Sequence, residues 1–130
     1  MIGSDKQEMI SYRIQRAKET LKEVKIHIDN ELWSTAINRI YYACFYAVSA
    51  LLLKQDIRAK SHAGTRQMFG LHFIKSTILP KDLGQFYSDI YDMRLTSDYD
   101  DFVGFTKDDV LDVIEPANKL ISSIEKLLKD

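Results

Sequence analysis

The 130 residues of the chain are enough for one domain with a single core, and its 45% hydrophobic and 28% charged residues are typical of a globular protein. A net charge of −1 excludes a global attraction to nucleic acid, so such binding would need a local basic patch. One cysteine excludes an intramolecular disulfide, and with only three scattered histidines it leaves no zinc constellation. The start, "MIGSDKQEM", lacks the apolar segment of a secretory signal, so we expect a cytoplasmic protein.

The first helix is predicted from a stripe of apolar residues that recur at steps of four and three up to Ile28. Ser4 followed by Gln7 has the form of a capping box at its beginning. The pattern breaks at Asp29, and Asn30 is the expected N-cap of the next helix.

The second helix is predicted from about Leu32 to Gln55, and its fourteen residues from Ile40 to Leu53 carry no charge. This run is shorter than the roughly 20 apolar residues that span a bilayer. A helix that is apolar all round belongs in the middle of a bundle. We therefore expect it to be the central helix, with Cys44 buried in it as a small hydrophobic residue.

Three more helices are predicted, the first of them short and capped by Ser61. The next begins at Leu79–Pro80, and a loop follows at "SDYDDFVGF", residues 97–105. Thr106 with Asp109 resembles a capping box before the last helix, which Pro116 is expected to kink or split. The expected fold is an all-α, up-and-down antiparallel bundle of four long helices and one short helix, in one domain over residues 1–130.

The fourth helix carries a second stripe, Tyr87, Tyr91, Arg94 and Asp98, at steps of four, three and four. Arg94 and Asp98 can pair along the helix. The stripe is then either a structural pair beside tyrosines at the rim of the core, or one wall of a ligand site.

Two side chains elsewhere, Arg39 and His62, are ambiguous in the same way. Arg39 leads the uncharged helix, so it lies either at an exposed end or buried against an acid such as Asp98 or Asp89, because an unpaired buried charge is costly. His62 lies in a basic loop before a helix, which forms either an anion site or a solvated loop. The sequence indicates no metal site and no cofactor.

Two segments, "NRIYYACFYAVSALLLKQDIRAKSHAGTRQMF" and "ILPKDLGQFYSDIYDMRLTSDYDD", resemble the HEPN domain family (higher eukaryotes and prokaryotes nucleotide-binding). The resemblance rests on "RIYYACFYA", on the Ser-His of the following loop and on "R-x-x-x-D-Y", and it covers about Leu21 to Leu128. Small stand-alone bacterial and archaeal members are the most similar.

The resemblance implies a helical bundle that dimerises through its second and fourth helices. Many members are metal-independent ribonuclease toxins with an Arg and, after four to six intervening residues, a His, and many are paired with a minimal nucleotidyltransferase. Arg94 matches that Arg, but Tyr99 stands where the His is expected and no His follows it. A tyrosine, with an ordinary pKa near 10, is a poor base, so the departure argues against nuclease activity.

Three functions follow. The first is a dimeric module with little or no catalytic activity, which binds a nucleotide or RNA phosphate and works with a nucleotidyltransferase. The second is a metal-independent ribonuclease toxin, and the third is a plain dimerisation protein. The expected catalytic residues are Arg94, Asp98 and Tyr99, and the expected ligand-binding residues are Arg39, Tyr42 and His62. The expected dimer rim is formed by Tyr42, Tyr46 and Tyr87.

Overall fold

A computed structural model describes residues 3–99 and 104–129, with side chains over residues 5–98 and 104–129. These residues contain no strand, and the predicted all-α bundle of four long helices and one short helix is confirmed. The helices are α1 (Gly3–Asp29), α2 (Trp33–Lys54), α3 (His62–Phe69), which continues into a π-helical turn (Gly70–Ile74), α4 (Lys81–Tyr99) and α5 (Lys107–Leu128).

Helix α2 is the centre of the bundle, as its uncharged run predicts. Eleven of its residues are buried, and it contacts α1, α3, α4 and α5. Cys44 has no exposed surface, and burial raises the pKa of its thiol. The thiol therefore stays protonated and acts as a small core side chain.

Hydrogen bonds show that α1 and α2 run antiparallel. Arg13 Nη1 donates to Ser49 Oγ at 2.9 Å, and Lys6 Nζ lies 2.8 Å from Asp56 Oδ1. Residues early in α1 thus meet residues late in α2. Helices α2 and α4 also run antiparallel, so the end of α4 lies beside the beginning of α2.

Two predicted N-caps are confirmed. Ser61 Oγ accepts a hydrogen bond from the Gly64 amide at 2.9 Å and begins α3. Thr106 and Asp109 form the complete reciprocal box at the start of α5, with bonds of 3.2 and 2.9 Å. Helix α4 begins at Lys81, directly after Pro80, close to the predicted position.

The prediction that Asn30 caps α2 is wrong. Its side-chain amide donates to the Ile26 carbonyl at 2.8 Å, so Asn30 finishes α1 instead. Glu31 then takes a φ of 57°, in the left-handed region, and turns the chain. Leu32 occupies the N-cap position of α2 without a side-chain hydrogen bond.

Three other local expectations are also wrong. Helix α1, as described, begins at Gly3, so Ser4 lies within the helix instead of preceding it. Helix α5 continues through Pro116, so the expected split does not occur. Val110 before the proline and Ala117, Leu120, Ile121 and Ile124 after it are buried and hold both halves against the core. Helix α4 reaches Tyr99, so the loop expected from Ser97 starts later, and residues 100–103 of that loop lie outside the described residues.

By length and composition alone, α2 could cross a membrane. In the bundle, 61% of its most apolar window is buried against the other helices. This packing favours its role as a core helix.

Candidate functional site

A cluster of aromatic rings lies where the first half of α2, the start of α3 and the last half of α4 meet. Tyr41 is fully buried, and its hydroxyl lies 2.7 Å from His62 Nδ1. The Tyr41 ring also contacts the rings of Tyr87 and Tyr91, with centroids 6.1 and 6.0 Å apart. His62 is the first residue of α3, so the Ser61 cap fixes the backbone that carries it.

Arg94 enters this cluster from α4 and is only 8% exposed. Its guanidinium carbon lies 4.8 Å from the Tyr41 ring centroid and 5.9 Å from those of Tyr42 and Tyr91. The negative ring faces stabilise its charge where little water reaches it. Its Nη1 lies 3.1 Å from Asp98 Oδ2, so the predicted pair exists.

The hydrogen-bonding capacity of Arg94 is not filled by Asp98. Its Nε has no hydrogen-bond partner among the described residues. A guanidinium has five N–H donors in a planar fork that suits phosphate or carboxylate oxygens. Asp98 takes one nitrogen and keeps a 32% exposed side chain at the edge of the cluster. Arg94 is therefore held in place while part of its fork has no partner among these residues.

The electrostatics of the cluster favour a neutral His62. Partial burial and the positive charge of Arg94 both lower the pKa of His62. Burial raises the pKa of Tyr41 to about 12, so its hydroxyl stays protonated near neutral pH. When Tyr41 donates to Nδ1, the imidazole proton resides on Nε2. In that tautomer Nε2 can only donate. When Nδ1–H donates to the Tyr41 oxygen instead, Nε2 has a free lone pair that can accept a proton beside Arg94.

Tyr42 and Arg39 extend the cluster along α2. Tyr42 is half-buried, and its ring centroid lies 5.6 Å from that of His62. The Arg39 guanidinium carbon lies 5.6 Å from the Tyr42 ring. The expected acid partners of Arg39 are engaged elsewhere, because Asp98 pairs with Arg94 and Asp89 accepts from a glutamine at 2.9 Å.

The sequence assigns a role to two tyrosines of α4. Tyr87 is fully buried, so its assignment to a dimer rim is wrong, and burial raises the pKa of its hydroxyl well above the ordinary value. Tyr99 ends α4 one residue after Asp98, and its side chain lies outside the described residues. The structure thus brings together Arg94, Asp98, Tyr42 and His62, with Arg39 beyond Tyr42.

The sequence does not assign three members of the cluster to the site: Tyr41, Phe45 and Arg66. The Arg66 guanidinium carbon lies 4.4 Å from the Tyr91 ring, and the Phe45 and His62 ring centroids are 4.5 Å apart. The "YYACFY" spacing signals an aromatic helix face, but not which rings meet His62.

The described residues contain no group of three or more His, Cys, Asp or Glu side chains that could hold a metal ion. What the cluster offers is an arginine fork, a neutral imidazole, a tyrosine hydroxyl and flat ring surfaces. These groups can bind an anion and stack an aromatic base.

A helical bundle with an arginine near the end of its fourth helix and aromatic rings on its second defines the class of protein. The HEPN domain family matches residues 10–127, and the chain belongs to this family.

Relatives cover nearly the whole chain. A UPF0332 protein of Thermotoga maritima is 39% identical over 127 residues, which span 98% of this chain and 96% of the relative. Two Methanocaldococcus jannaschii proteins described as candidate toxins are 32% and 31% identical, over 100% and 88% of this chain and 96% and 78% of their own lengths.

Proposed function

We propose that this chain is a dimeric HEPN module of the cytoplasm that binds a nucleotide or RNA phosphate and works with a minimal nucleotidyltransferase as a toxin–antitoxin pair. Membership of the family and the toxin names of two relatives support the toxin-like part of this proposal. The relatives' names give no ligand, so the ligand follows from the chemistry of the site.

The observation that carries the proposal is the burial of Arg94 together with its incomplete set of hydrogen bonds. It is buried among tyrosine rings, is held by one carboxylate, and has an Nε without a partner among the described residues. A buried guanidinium with one unfilled donor costs stability, because that N–H has lost its water and has no partner among the described residues. A phosphate that reaches the fork, with its base stacked on Tyr42, satisfies both the charge and the ring face.

The direct test is binding of fluorescently labelled ATP and of a labelled single-stranded RNA by the purified chain, measured by anisotropy. We expect binding of at least one of them, lost in Arg94→Ala. If the wild type binds neither, the plain dimerisation protein is the function that remains.

A homodimer is expected in solution. Tyr42 on α2 stays partly exposed beside the Arg94 cluster, so aromatic surface remains there for a second copy. Sedimentation velocity at micromolar concentration checks this. A single monomeric species would remove the dimer, and with it any site shared between two subunits.

The ribonuclease remains a second candidate, because the fold brings His62 to Arg94 although no His follows Arg94 in the sequence. A neutral His62 beside an arginine suits proton transfer from a 2′-hydroxyl. Its proton acceptor would then come from α3 instead of the end of α4.

Tyr99→His tests whether the missing family His limits cleavage. We expect this change to create or raise cleavage of a single-stranded RNA without added metal, because it restores the family's Arg-to-His spacing. His62→Ala in the same background separates the two histidines. If wild type already cleaves and only His62→Ala abolishes the activity, His62 is the base and Tyr99 is not what limits the enzyme.

A further inference from the structure

A groove of about 560 Å³ opens between α1, α2 and the segment that leads into α3. No acidic side chain is among the described residues that line it. Its lining combines three aromatic rings with three cationic side chains: Tyr12, Phe45, Tyr46, Arg13, Arg58 and Lys60.

None of the three cations that line the groove pairs with a carboxylate among the described residues. Arg13 is fixed by hydrogen bonds from Nη1 to Ser49 Oγ and to the Ser49 carbonyl, at 2.9 and 3.3 Å. Arg58 and Lys60 are exposed. The acid nearest to them in the chain, Asp56, is paired with Lys6 at 2.8 Å. The local charge of the groove is therefore positive, although the whole chain is not basic.

The groove is continuous with the Arg94 cluster through Phe45. The Phe45 ring lies 4.5 Å from His62 on one side and 6.2 Å from Tyr46 on the other, centroid to centroid. The Arg16 guanidinium carbon in turn lies 5.5 Å from the Tyr46 ring. A series of rings thus leads from Arg94 along α2 into the groove, with cations beside it.

We propose that the groove is a second subsite that guides a single strand of RNA to the Arg94 cluster. This inference rests on the proposed function, because it takes RNA as the ligand of both subsites. Bases stack on Phe45 and Tyr46, and phosphates contact Arg58 and Lys60. Proteins bind single strands without reading their sequence by stacking the bases on aromatic rings and placing cationic side chains against the phosphate backbone. A two-fold dimer through this groove would set the cations of one copy against the same cations of the other, and this favours RNA over a second copy of the chain as the occupant.

The test uses a labelled single-stranded oligo(U), the same strand in a duplex, and labelled ATP, each measured by anisotropy over a series of salt concentrations. The double variant Arg58→Ala with Lys60→Ala is expected to lower the salt slope of oligo(U) binding by about 1.4, because each lost phosphate contact on a single strand removes about 0.7. Tyr46→Leu is expected to weaken oligo(U) binding about tenfold by removing one stack. ATP binding should change in neither variant, and the duplex should bind less well than the single strand.

The matched control is Lys75→Ala with Lys81→Ala, which removes two exposed lysines that line a different cavity. It should leave the salt slope unchanged. Melting temperatures of all variants show whether each one folds.

Each further outcome decides between the two subsites. If Arg94→Ala loses both ligands while the groove variants bind oligo(U) like wild type, the groove proposal is wrong and the proposed function stands. If the groove variants lose oligo(U) and Arg94→Ala loses nothing, the groove is the RNA site and the Arg94 site is refuted. Absence of oligo(U) binding by wild type overturns the groove. So does a groove variant that changes only the sedimentation of the dimer, because the surface then serves a second copy.

Discussion

Cys44→Asp is expected to leave the chain largely unfolded at pH 7. Cys44 is fully buried in the central helix, and a carboxylate there loses several kcal/mol of hydration without a partner. Domains of this size are stable by only about 5–15 kcal/mol, so this loss removes most or all of that stability. Circular dichroism during thermal melting measures it, and Cys44→Ala, expected to cost about 1 kcal/mol, is the matched control.

The destabilisation by Asp at position 44 is also expected to depend on pH. Burial raises the pKa of such a carboxyl above its unfolded value of about 3.9, so the folded state binds the proton more tightly. Stability is therefore greatest below about pH 4 and is lost as pH rises. Urea melts at pH 4 and pH 7 should differ more for the variant than for wild type. A variant that melts like wild type at pH 7 would mean that α2 is not the core helix.

Arg94→Lys is expected to weaken nucleotide binding at least tenfold while the fold survives. An ammonium keeps the charge but cannot form the two parallel bonds of a guanidinium fork, and each hydrogen bond to a charged group contributes about 1.5–3 kcal/mol. The loss in stability is smaller, because the ring contacts of a buried cation contribute about 2 kcal/mol and a lysine keeps part of them. Anisotropy with labelled ATP and a thermal melt of the same sample measure both effects.

Asp98→Asn separates a ligand site from a structural pair. In a ligand site the Asp98 carboxylate competes with the phosphate for Arg94, so its neutralisation should tighten binding. In a structural pair the change only lowers the melting temperature. The matched control is Asp89→Asn, which removes the same charge from an exposed position on the same helix. If Arg94→Lys and Asp98→Asn lower stability equally and neither changes ATP binding, the pair is structural.

The helices could be predicted because their signals are local. The apolar period of α2 and the caps at Ser61 and Thr106 depend on residues three or four apart, which meet whatever the rest of the fold does. The prediction for Asn30 is wrong because its side chain can either cap α2 or bond back to a carbonyl of α1. The sequence does not show that Glu31 adopts the left-handed conformation that goes with the second arrangement.

Helical spacing alone predicts the site only where it lies within one helix, whereas the family resemblance also points to His62 through the Ser-His of its loop. Arg94 and Asp98 are four residues apart, so their pair follows from helical geometry. The bond between Tyr41 and His62 joins residues 21 positions apart and depends on how α3 packs on α2. For the same reason Tyr87 could not be assigned to core or surface, because its stripe adjoins the core face and the packing of α4 alone decides its exposure.

The position of α5 has a consequence for synthesis of the protein. Helix α5 packs on α2, and Lys54 at the end of α2 donates to the carbonyls of Leu127 and Leu128 at 2.9 and 3.0 Å. Of the helices described, α5 leaves the ribosome last. Until then the nascent chain exposes one apolar side of α2, and such surfaces are where chaperones bind and chains aggregate. A messenger cut before α5 would therefore yield a product prone to degradation instead of a shorter working domain.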